Sequence, residues 1–373
     1  MSNQRPILII AGGTGGHVYP ALAVADDLRQ RGWPVIWLGT RQGIESRLVP
    51  PTGIPIEWLP VAGLRGKRLL QRLAGIPRLF MSLIQAARVM ARCRPVAVLG
   101  MGGFVTGPGG LMARLFGVPL CIHEQNSVAG LTNRLLGRIA NQVLEAFPDS
   151  FPDNSRARKK AVLTGNPVRT DISEIEAPAE RLAARCDVLR LLVVGGSLGA
   201  QQLNQTVPQA LAQLAIRIEV RHQTGPDKLE QTQAMYKQAG VKGDVRAYLD
   251  DMCEAYSWAD IVLCRAGAIT VAELANAGLA SILVPYPHAV DDHQTGNAAW
   301  LCNNGAAEMI ADSSLNADWL AGRLQLYADD RKKILQMAVN ARVLARPDAA
   351  RRVADICLHS FGAEGAGPEA GHD

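Results

Sequence analysis

The chain has 373 residues, of which 48% are hydrophobic and 20% charged, with 36 Gly and 21 Pro. At roughly 100–200 residues per domain this length predicts two domains, and the composition excludes disordered, collagen-like and disulfide-rich proteins. The formal net charge of +5 conceals two opposite halves: residues 1–163 carry 20 Lys or Arg against 8 Asp or Glu (net +12), whereas residues 164–373 carry 19 against 26 (net −7). We therefore expect the two halves to bind different partners.

Short apolar runs alternate with helical patterns along the whole chain. In the first half, strands are predicted at 7–10, 35–38, 97–99 and 119–123, with an amphipathic helix at 20–29. The second half repeats the pattern, with strands at 190–194, 216–222, 261–264 and 281–285 and helices at 179–187 and 202–214. Strands that alternate with helices predict an α/β fold with parallel sheets covered on both faces.

Two matching glycine loops lie 183 positions apart. Gly12-Gly-Thr-Gly-Gly and Gly195-Gly-Ser-Leu-Gly each follow a buried strand and precede a helix. They predict two Rossmann-like domains that face each other across a ligand-binding cleft. We expect an N-terminal domain at 1–163, a linker at 164–171, a C-terminal domain at 164–355 whose last helix is free to pack back on the first domain, and a flexible tail at 360–373.

Other features exclude several protein classes. The seven cysteines are scattered without a Cys-x-x-Cys pair, which argues against zinc and disulfide frameworks and favours a reducing, cytosolic compartment. The N-terminus leads directly into an apolar strand, so we expect no secretory signal. No run of about 18 uninterrupted apolar residues is present, so we expect no membrane-spanning helix, although the protein could lie on a membrane surface.

The glycine loops are candidate anion sites because the backbone N–H groups of such loops and of a helix start attract negative charge. The first loop matches neither the Gly-x-Gly-x-x-Gly pattern of dinucleotide binding nor the Lys-Ser/Thr of a P-loop. The alternative is that these glycines only let a helix approach a strand closely.

Three further groups of polar residues are candidates for binding or catalysis. His17 opens the first helix, where it is either a cleft residue or an ordinary exposed or capping histidine. Glu273 follows a strand near a helix start, where it either accepts ribose hydroxyls or favours the helix dipole. The loop 285–297 is dense in polar groups and resembles a sugar-binding loop; its His288, Asp291, Asp292 and His293 lack helical metal-ligand spacing, so we expect no metal.

The positive charge is concentrated in one segment. Residues 58–123 contain no Asp or Glu and nine Lys or Arg, interleaved with Leu, Ile and Met but few aromatic residues. Such a pattern favours a surface attracted to anionic lipid over a nucleic-acid site, which would need more aromatic side chains for base stacking. An ordinary solvated basic helix is the third possibility. The residues we expect to face a membrane are Arg65, Lys67, Arg68, Arg72, Ile76, Arg78, Leu79 and Phe80.

Eight ordered motifs between about residues 7 and 355 resemble those of one family. They are Gly12-Gly-Thr-Gly-Gly-His-Val-Tyr-Pro-Ala, Gly100-Met-Gly-Gly-Phe, His123-Glu-Gln-Asn, Gly165-Asn-Pro-Val-Arg, Gly195-Gly-Ser-Leu-Gly-Ala, Tyr248-Leu-Asp-Asp-Met, Arg265-Ala-Gly-Ala-Ile-Thr-Val-Ala-Glu and Asp291-Asp-His-Gln-Thr-Gly-Asn. The chain resembles the MurG family of bacterial glycosyltransferases. This resemblance implies a GT-B fold and an inverting, metal-independent transfer of N-acetylglucosamine (GlcNAc) from UDP-GlcNAc to the C4 hydroxyl of the muramoyl sugar in lipid I. The product is lipid II, an intermediate of peptidoglycan synthesis.

The resemblance also implies roles for individual residues. The C-terminal domain would hold UDP-GlcNAc and the N-terminal domain the lipid acceptor, at the cytoplasmic face of the inner membrane, with no cofactor. Residues expected at the nucleotide sugar are Thr14, Gly15, Gly16, Asn126, Arg169, Ser197, Leu249, Ala268, Ile269, Thr270, Val271, Ala272, Glu273 and Gln294. Gly102 and Gly103 are expected at the lipid diphosphate. Cell-wall and division proteins are further possible partners, and nucleic acid is not.

An inverting transfer needs a base near the attacking hydroxyl. Our first candidate is His17, whose ordinary pKa suits proton removal near neutral pH, and Glu124 and His123 are the reserve candidates. Two alternatives to the transferase remain open from the sequence: a UDP-GlcNAc 2-epimerase on the same fold, and a peripheral membrane protein that binds a nucleotide sugar without turnover.

Overall fold

The computed structural model describes residues 4–60, 75–183, 185, 188–196 and 199–362. The chain divides into two units, Met1–Arg169 together with Asp348–Asp373, and Thr170–Pro347. The division therefore falls at the end of the Gly165-Asn-Pro-Val-Arg motif rather than at residue 163, and the last helix belongs to the first unit. Residues 363–373, most of the expected tail, lie outside the described part.

The first unit is built from alternating strands and helices. In chain order these are β1 (Ile7–Ile10), α1 (Gly15–Gln30), β2 (Val35–Gly39), α2 (Glu45–Leu48), β3 (Ile56–Trp58), α3 (Gly75–Cys93), β4 (Ala97–Gly100), α4 (Thr106–Leu115), β5 (Leu120–Glu124), α5 (Leu131–Leu136), β6 (Gln142–Glu145), β7 (Ala161–Leu163) and, from the C-terminus, a helix at Ala349–His359. Short 3₁₀ turns lie at Pro50–Thr52 and Arg158–Lys160.

The strands of the first unit form one parallel sheet in the order β3-β2-β1-β4-β5-β6-β7. The central strand β1 is fully buried because helices cover both faces of the sheet, as its continuous apolar run predicts. The helix Ala349–His359 packs against α1 and β4 and buries Val353 and Cys357 in the same core. Its apolar face thus completes the first unit rather than the second.

The second unit repeats this architecture. Its elements are α6 (Thr170–Ser173), α7 (Pro178–Ala183), β8 (Leu189–Val194), α8 (Gln201–Ala212), β9 (Ile218–Gln223), α9 (Leu229–Gln238), β10 (Asp244–Arg246), α10 (Met252–Trp258), β11 (Ile261–Cys264), α11 (Ala268–Ala277), β12 (Ala280–Leu283), α12 (His293–Asn303), β13 (Ala307–Met309), α13 (Ala317–Asp329) and α14 (Arg331–Val343), which makes the C-terminal helix α15. Short 3₁₀ turns lie at Pro226–Lys228, Val290–Asp292 and Asp312–Ser314.

The second sheet is also parallel, with the order β10-β9-β8-β11-β12-β13. In each sheet the chain runs outward in one direction from the first strand and then crosses to that strand's other side, so that β1 lies beside β4 and β8 beside β11. Open α/β sheets bind ligands beyond the carboxyl ends of the strands at this point of reversal. The two glycine loops follow β1 and β8 and lie at these points.

None of the described helices is both long enough and apolar enough to cross a membrane.

Candidate functional site

In the first unit, the loops after β1 and β4 are in direct contact. The backbone N–H of Met101 donates to the carbonyl of Ile10 at 2.8 Å, which draws the two loops together beyond the strand ends. Gly103 has a φ of +84°, and a Cβ at this position would overlap the Gly12 carbonyl oxygen. Only glycine fits there, because an L side chain would push the two loops apart. The paired glycines therefore fix the floor of this part of the site.

The buried carboxylate of Glu45 anchors the first glycine loop by hydrogen bonds. One of its oxygens accepts a hydrogen bond from the Gly13 N–H at 2.9 Å, and the other accepts from the N–H and hydroxyl of Thr40 at 2.8 and 2.7 Å. A buried carboxylate is stable only when such donors satisfy it. The loop is thus tied to the end of β2. Thr14, which precedes α1, is exposed, and Gly15 and Gly16, which begin the helix, are half-buried.

His17 lies in the first turn of α1 and is half-buried. Its Nδ1 is 2.9 Å from Oε1 of Gln125, a buried residue that follows β5. Gly102, at φ +97°, also lies so close to this nitrogen that a Cβ there would overlap it. The imidazole is therefore held by one specific hydrogen bond and by a glycine that leaves room for it.

His123 is fully buried, unlike His17. Its Nε2 is 3.0 Å from the Gly165 carbonyl and its Nδ1 is 3.1 Å from the side-chain nitrogen of Gln125. Burial lowers the pKa of His123 to about 4, because the charged ring would lose its hydration. His123 is therefore neutral at physiological pH, and both of its ring nitrogens are occupied by protein groups.

Glu124 is also buried, and its carboxylate accepts four hydrogen bonds from the loop that follows β5 and from α5. Oε1 accepts from the backbone and side-chain N–H groups of Asn126 at 3.0 and 3.3 Å. Oε2 accepts from the Gly130 N–H at 3.1 Å and from the Asn133 amide at 2.9 Å. These contacts fix the turn that carries Asn126, and they are typical of a carboxylate that orients a loop.

In the second unit, Gln223 connects the second glycine loop to the loop after β10. Its side-chain nitrogen donates to the Gly196 carbonyl at 3.2 Å, and its oxygen accepts from the Leu249 N–H at 3.0 Å. Leu249 and Gln223 are both buried. The backbone at Leu249 is thereby held at the carboxyl end of β9, next to the loop that follows β8.

The start of α11 lies beyond the end of β11, at the point where the second sheet reverses. Gly267 precedes this ten-residue helix, and the positive end of the helix dipole lies beyond the strand ends. Glu273 lies in the second turn rather than the first, and Tyr256 donates a hydrogen bond to its carboxylate at 2.9 Å. Since the dipole effect fades beyond the first turn, Glu273 gains little from the helix dipole.

The loop before α12 has a constrained backbone. Asp291 and Asp292 both adopt positive φ, at +55° and +51°, a conformation that non-glycine residues rarely adopt and that is concentrated at binding sites. Gln294, on the first turn of α12, accepts a hydrogen bond from the Tyr286 N–H at 2.9 Å. Arg265 ties this loop to the sheet, donating to the Val284 carbonyl at 3.1 Å and pairing with Asp312 at 2.6 Å.

The structure does not describe the side chains of several expected site residues. Ser197 and the basic residues Arg65, Lys67, Arg68 and Arg72 lie outside the described part of the chain, and for Ile76 only the backbone is described. Arg169 is half-buried at the end of the first unit. Within the described ranges, no group of three or more His, Cys, Asp or Glu side chains could hold a metal ion.

An exposed apolar surface lies on the helices α3, α4 and α5. The helices pack in sequence, α3 on α4 and α4 on α5. Their exposed large hydrophobic side chains, together with the residue that ends α4, are Leu79, Phe80, Met81, Leu111, Leu115, Phe116, Leu131 and Leu135. Arg78 and Arg114 are exposed on the same helices. We call this set of residues the apolar surface; it extends beyond the segment indicated by the charge pattern only at Leu131 and Leu135.

Sequence reasoning missed the residues that support the site from behind. These are Glu45, Gln125, Gln223, Tyr256 and Arg265, which contact other protein groups rather than open space. Gln125 and Arg265 lie within two of the family motifs, but only other residues of those motifs were assigned roles. Each is a polar residue directly after a buried strand, and this was the signal that could have identified them. Glu45 and Tyr256 carry no local pattern, because their partners are distant in the chain.

Comparison with known families accounts for both units. Residues 7–145 match the glycosyltransferase family 28 N-terminal domain and residues 190–353 the glycosyltransferase family 28 C-terminal domain. A protein of Marinobacter nauticus named "UDP-N-acetylglucosamine--N-acetylmuramyl-(pentapeptide) pyrophosphoryl-undecaprenol N-acetylglucosamine transferase" is 53% identical, over 96% of this chain and 98% of its own. A Methylococcus capsulatus protein of the same name is 51% identical over 96% and 99%.

Solved structures give the same result for the fold. The crystal structure of Acinetobacter baumannii MurG matches with a TM-score of 0.82 and 42% identity, over 95% of this chain and 99% of that one. The match confirms the expected GT-B fold of two Rossmann-like domains. A UDP-GlcNAc 2-epimerase from Neisseria meningitidis also matches, with a TM-score of 0.65 but only 12% identity over 95% and 100%. That second likeness is one of fold alone.

Proposed function

The chain belongs to glycosyltransferase family 28, and we propose that it transfers GlcNAc from UDP-GlcNAc to the C4 hydroxyl of the muramoyl sugar in lipid I. The products are lipid II and UDP, and the step belongs to peptidoglycan synthesis. The observation that carries this proposal is the near-full-length identity of about half of all residues to transferases with that printed name. The site geometry supports it, because each unit presents polar groups and a helix start at the reversal point of its sheet.

The second unit is suited to the donor. The buried Gln223 fixes the backbone at Leu249 for the uracil, and Tyr256 holds the Glu273 carboxylate for the ribose hydroxyls. We place the start of α11, from Ala268 to Ala272, at the diphosphate, because the positive end of the helix dipole attracts negative charge. These local dipoles matter because the second half of the chain is acidic overall, so bulk charge does not attract UDP. We assign Ser197, Arg169 and Gln294 to the remaining phosphate and sugar contacts on the family resemblance.

The first unit is suited to the acceptor and carries the base. We assign proton removal from the attacking hydroxyl to His17, which is half-buried and placed at the exposed glycine loop. His123 is unsuited because both ring nitrogens are engaged and the ring is inaccessible. Glu124 is unsuited because both carboxylate oxygens already accept hydrogen bonds. We place Gly102 and Gly103 beneath the lipid diphosphate and Asn126 with Thr14, Gly15 and Gly16 near the GlcNAc.

The reaction assigned to these groups is a direct displacement at the anomeric carbon. The acceptor oxygen attacks from the face opposite UDP, the proton of its hydroxyl passes to His17, and the bond from the anomeric carbon to the diphosphate oxygen breaks. Negative charge develops on the departing diphosphate, which the N-terminus of α11 and Arg169 stabilise. Attack from the opposite face inverts the configuration and forms a β-1,4 link.

One assay separates this transferase from both alternatives. The protein is incubated with UDP-GlcNAc alone and then with a lipid I analogue added, and UDP and UDP-ManNAc are measured. We expect UDP to appear only with the acceptor. UDP-ManNAc formed without acceptor would indicate a 2-epimerase, and binding of UDP-GlcNAc without any product in either condition would indicate a non-catalytic binding protein.

We further propose that the apolar surface of α3, α4 and α5 rests on an anionic membrane. A lipid acceptor is anchored in a bilayer, so an enzyme that uses it benefits from a surface that holds it there. Exposed Leu and Phe side chains beside Arg78 and Arg114 supply the apolar and electrostatic parts of such binding. Attachment is then peripheral, on the membrane face where UDP-GlcNAc is available, and division and cell-wall proteins can reach the enzyme there.

A matched pair of double variants tests the membrane proposal. Leu111→Ser with Leu115→Ser removes two side chains one turn apart on α4, which are 39% and 68% exposed. Val339→Ser with Val343→Ser makes a similar change on α14 of the second unit, at side chains 37% and 78% exposed. We expect the first pair to weaken sedimentation with phosphatidylglycerol vesicles by roughly 30-fold, for about 2 kcal/mol of lost burial. Equal effects of the two pairs would place the membrane contact elsewhere.

A further inference from the structure

The orientation of the Gln125 side-chain amide follows from its surroundings. Its nitrogen lies 2.9 Å from the carbonyl oxygen of Met101 and 3.1 Å from Nδ1 of His123. A carbonyl oxygen only accepts hydrogen bonds, so the group beside Met101 must be the NH₂ and not the oxygen of the amide. The side chain is buried, so water cannot substitute for these partners.

The state of His123 gives a second and independent argument for the same orientation. The Gly165 carbonyl, 3.0 Å from Nε2 of His123, requires that this nitrogen carry the ring proton. The ring is neutral because its burial disfavours the charged form. Nδ1 of His123 is therefore an acceptor, and the group facing it must again be the NH₂ of Gln125.

This orientation determines which nitrogen of His17 carries a proton. With the NH₂ directed at Met101 and His123, Oε1 of Gln125 faces Nδ1 of His17 at 2.9 Å. An amide oxygen only accepts, so Nδ1 of His17 must be the donor. In the neutral ring the lone pair then lies on Nε2.

We propose that Gln125 is a positioning residue that holds His17 in the tautomer with the proton on Nδ1, so that Nε2 is the nitrogen that removes the acceptor's proton. The role of His17 as the base rests on the proposed function, whereas its tautomer follows from the contacts alone. When Nε2 takes up the proton, Nδ1 remains a donor to the same amide oxygen. No group in the series Gly165, His123, Gln125, His17 has to turn during the reaction, which is the advantage of a base oriented by a third group.

The tautomer can be measured without any substrate. Long-range proton–nitrogen NMR spectra of protein labelled with ¹⁵N-histidine distinguish protonated from bare ring nitrogens, and the His17→Ala variant assigns the signal. In the neutral ring of His17 we expect Nδ1 to be protonated and Nε2 bare. Gln125→Leu should move the proton to Nε2 or produce a mixture, whereas Gln125→Glu, which keeps an acceptor, should retain the Nδ1 tautomer. Gln213→Leu, the same change at an exposed glutamine of the second unit, should leave the His17 signal unchanged.

Activity gives the second readout. Gln125→Leu should lower kcat about 10²-fold and leave the KM for UDP-GlcNAc unchanged, and Gln125→Glu should recover part of that loss. A bare Nδ1 on His17 in the wild-type spectrum would overturn the inference, and this holds even if Gln125→Leu fails to fold. A wild-type protein with the expected tautomer but no transfer to a lipid I analogue would instead refute the proposed function.

Discussion

Replacement of Gly102 by alanine tests whether the glycine after β4 exists to make room for His17. The residue has φ +97°, so any L side chain strains the backbone by about 1–2 kcal/mol. The new Cβ also overlaps Nδ1 of His17, and relief of such an overlap in a packed region costs about 1–3 kcal/mol. Together these contributions lower the free energy of unfolding by about 2–5 kcal/mol.

The overlap also predicts an effect on catalysis. The ring can move only by weakening its hydrogen bond to Gln125, and a displacement of about 1 Å in a reacting group costs about 10²-fold in rate. We therefore expect Gly102→Ala to lower kcat about 10²-fold. The Kd for UDP, measured by calorimetry, should stay unchanged, because we assign nucleotide binding to the second unit.

Gly32→Ala is the matched control for this variant. Gly32 lies at the end of α1 with φ +81°, and a Cβ there would meet no atom within 4 Å. It should lose about 1–2 kcal/mol of stability in urea unfolding and retain full kcat. A Gly102→Ala protein with the same kcat as Gly32→Ala would refute the claim that Gly102 leaves the space that His17 needs for catalysis.

Two further predictions concern buried polar groups of the second unit. Tyr256→Phe removes the hydroxyl that orients Glu273, so the KM for UDP-GlcNAc should rise about 5- to 10-fold, for about 1 kcal/mol, with kcat nearly unchanged. Tyr236→Phe, which removes a hydroxyl bonded to His222, is the control and should lower stability without changing KM. The reverse pattern in steady-state kinetics would contradict the role of Tyr256. Burial lowers the pKa of His222 to about 3. Below about pH 6.5 the unfolded chain binds a proton at this histidine and the folded chain does not. The stability contributed by the neutral His222 is therefore complete above pH 6.5 and is lost toward pH 3, by about 1.4 kcal/mol per pH unit. Urea unfolding at pH 7 and pH 5 should therefore show a smaller decrease for His222→Gln than for the wild type, and parallel decreases would exclude His222 as the cause.

The central strands of both sheets could be predicted because their burial makes them continuous apolar runs. The strand predicted at 7–10 is β1, and the strand predicted at 261–264 is β11. The outer strands β3, β7, β10 and β13 escaped prediction because each has only three residues and is partly exposed. Such strands have no apolar pattern of their own, and their pairing with a longer neighbour produces them. The four-residue strand β6 was not predicted either.

The start of α1 shows a different limit of sequence reasoning. The amphipathic pattern predicted a helix at 20–29, and His17 was expected to open it. The helix begins two residues before His17, at Gly15, and contains Pro20 within it. The glycines there have poor helix propensity, so the helical turn that carries His17 depends on the anchored loop before it, which Glu45 holds from a distant part of the sequence.

The residues of the candidate site also fall into those that the sequence could identify and those that it could not. Groups exposed at strand ends, such as His17 and Glu273, could be proposed from position because strand ends and helix starts are where Rossmann-like domains bind ligands. The groups that orient them could not be proposed, because Gln125 lies 108 positions from His17 and Tyr256 17 positions from Glu273. A contact across the fold leaves no periodic pattern in the sequence.

The most direct test of the account is the fate of the sugar itself. UDP-GlcNAc labelled in its GlcNAc is incubated with the purified protein and a lipid I analogue in phosphatidylglycerol vesicles, and the lipid product is isolated and its new linkage determined by NMR. The account predicts that the label moves to the lipid, that the new bond is β-1,4, and that His17→Ala lowers the rate about 10²- to 10⁴-fold. Label that stays in nucleotide sugars, or an α-linked product, would contradict it.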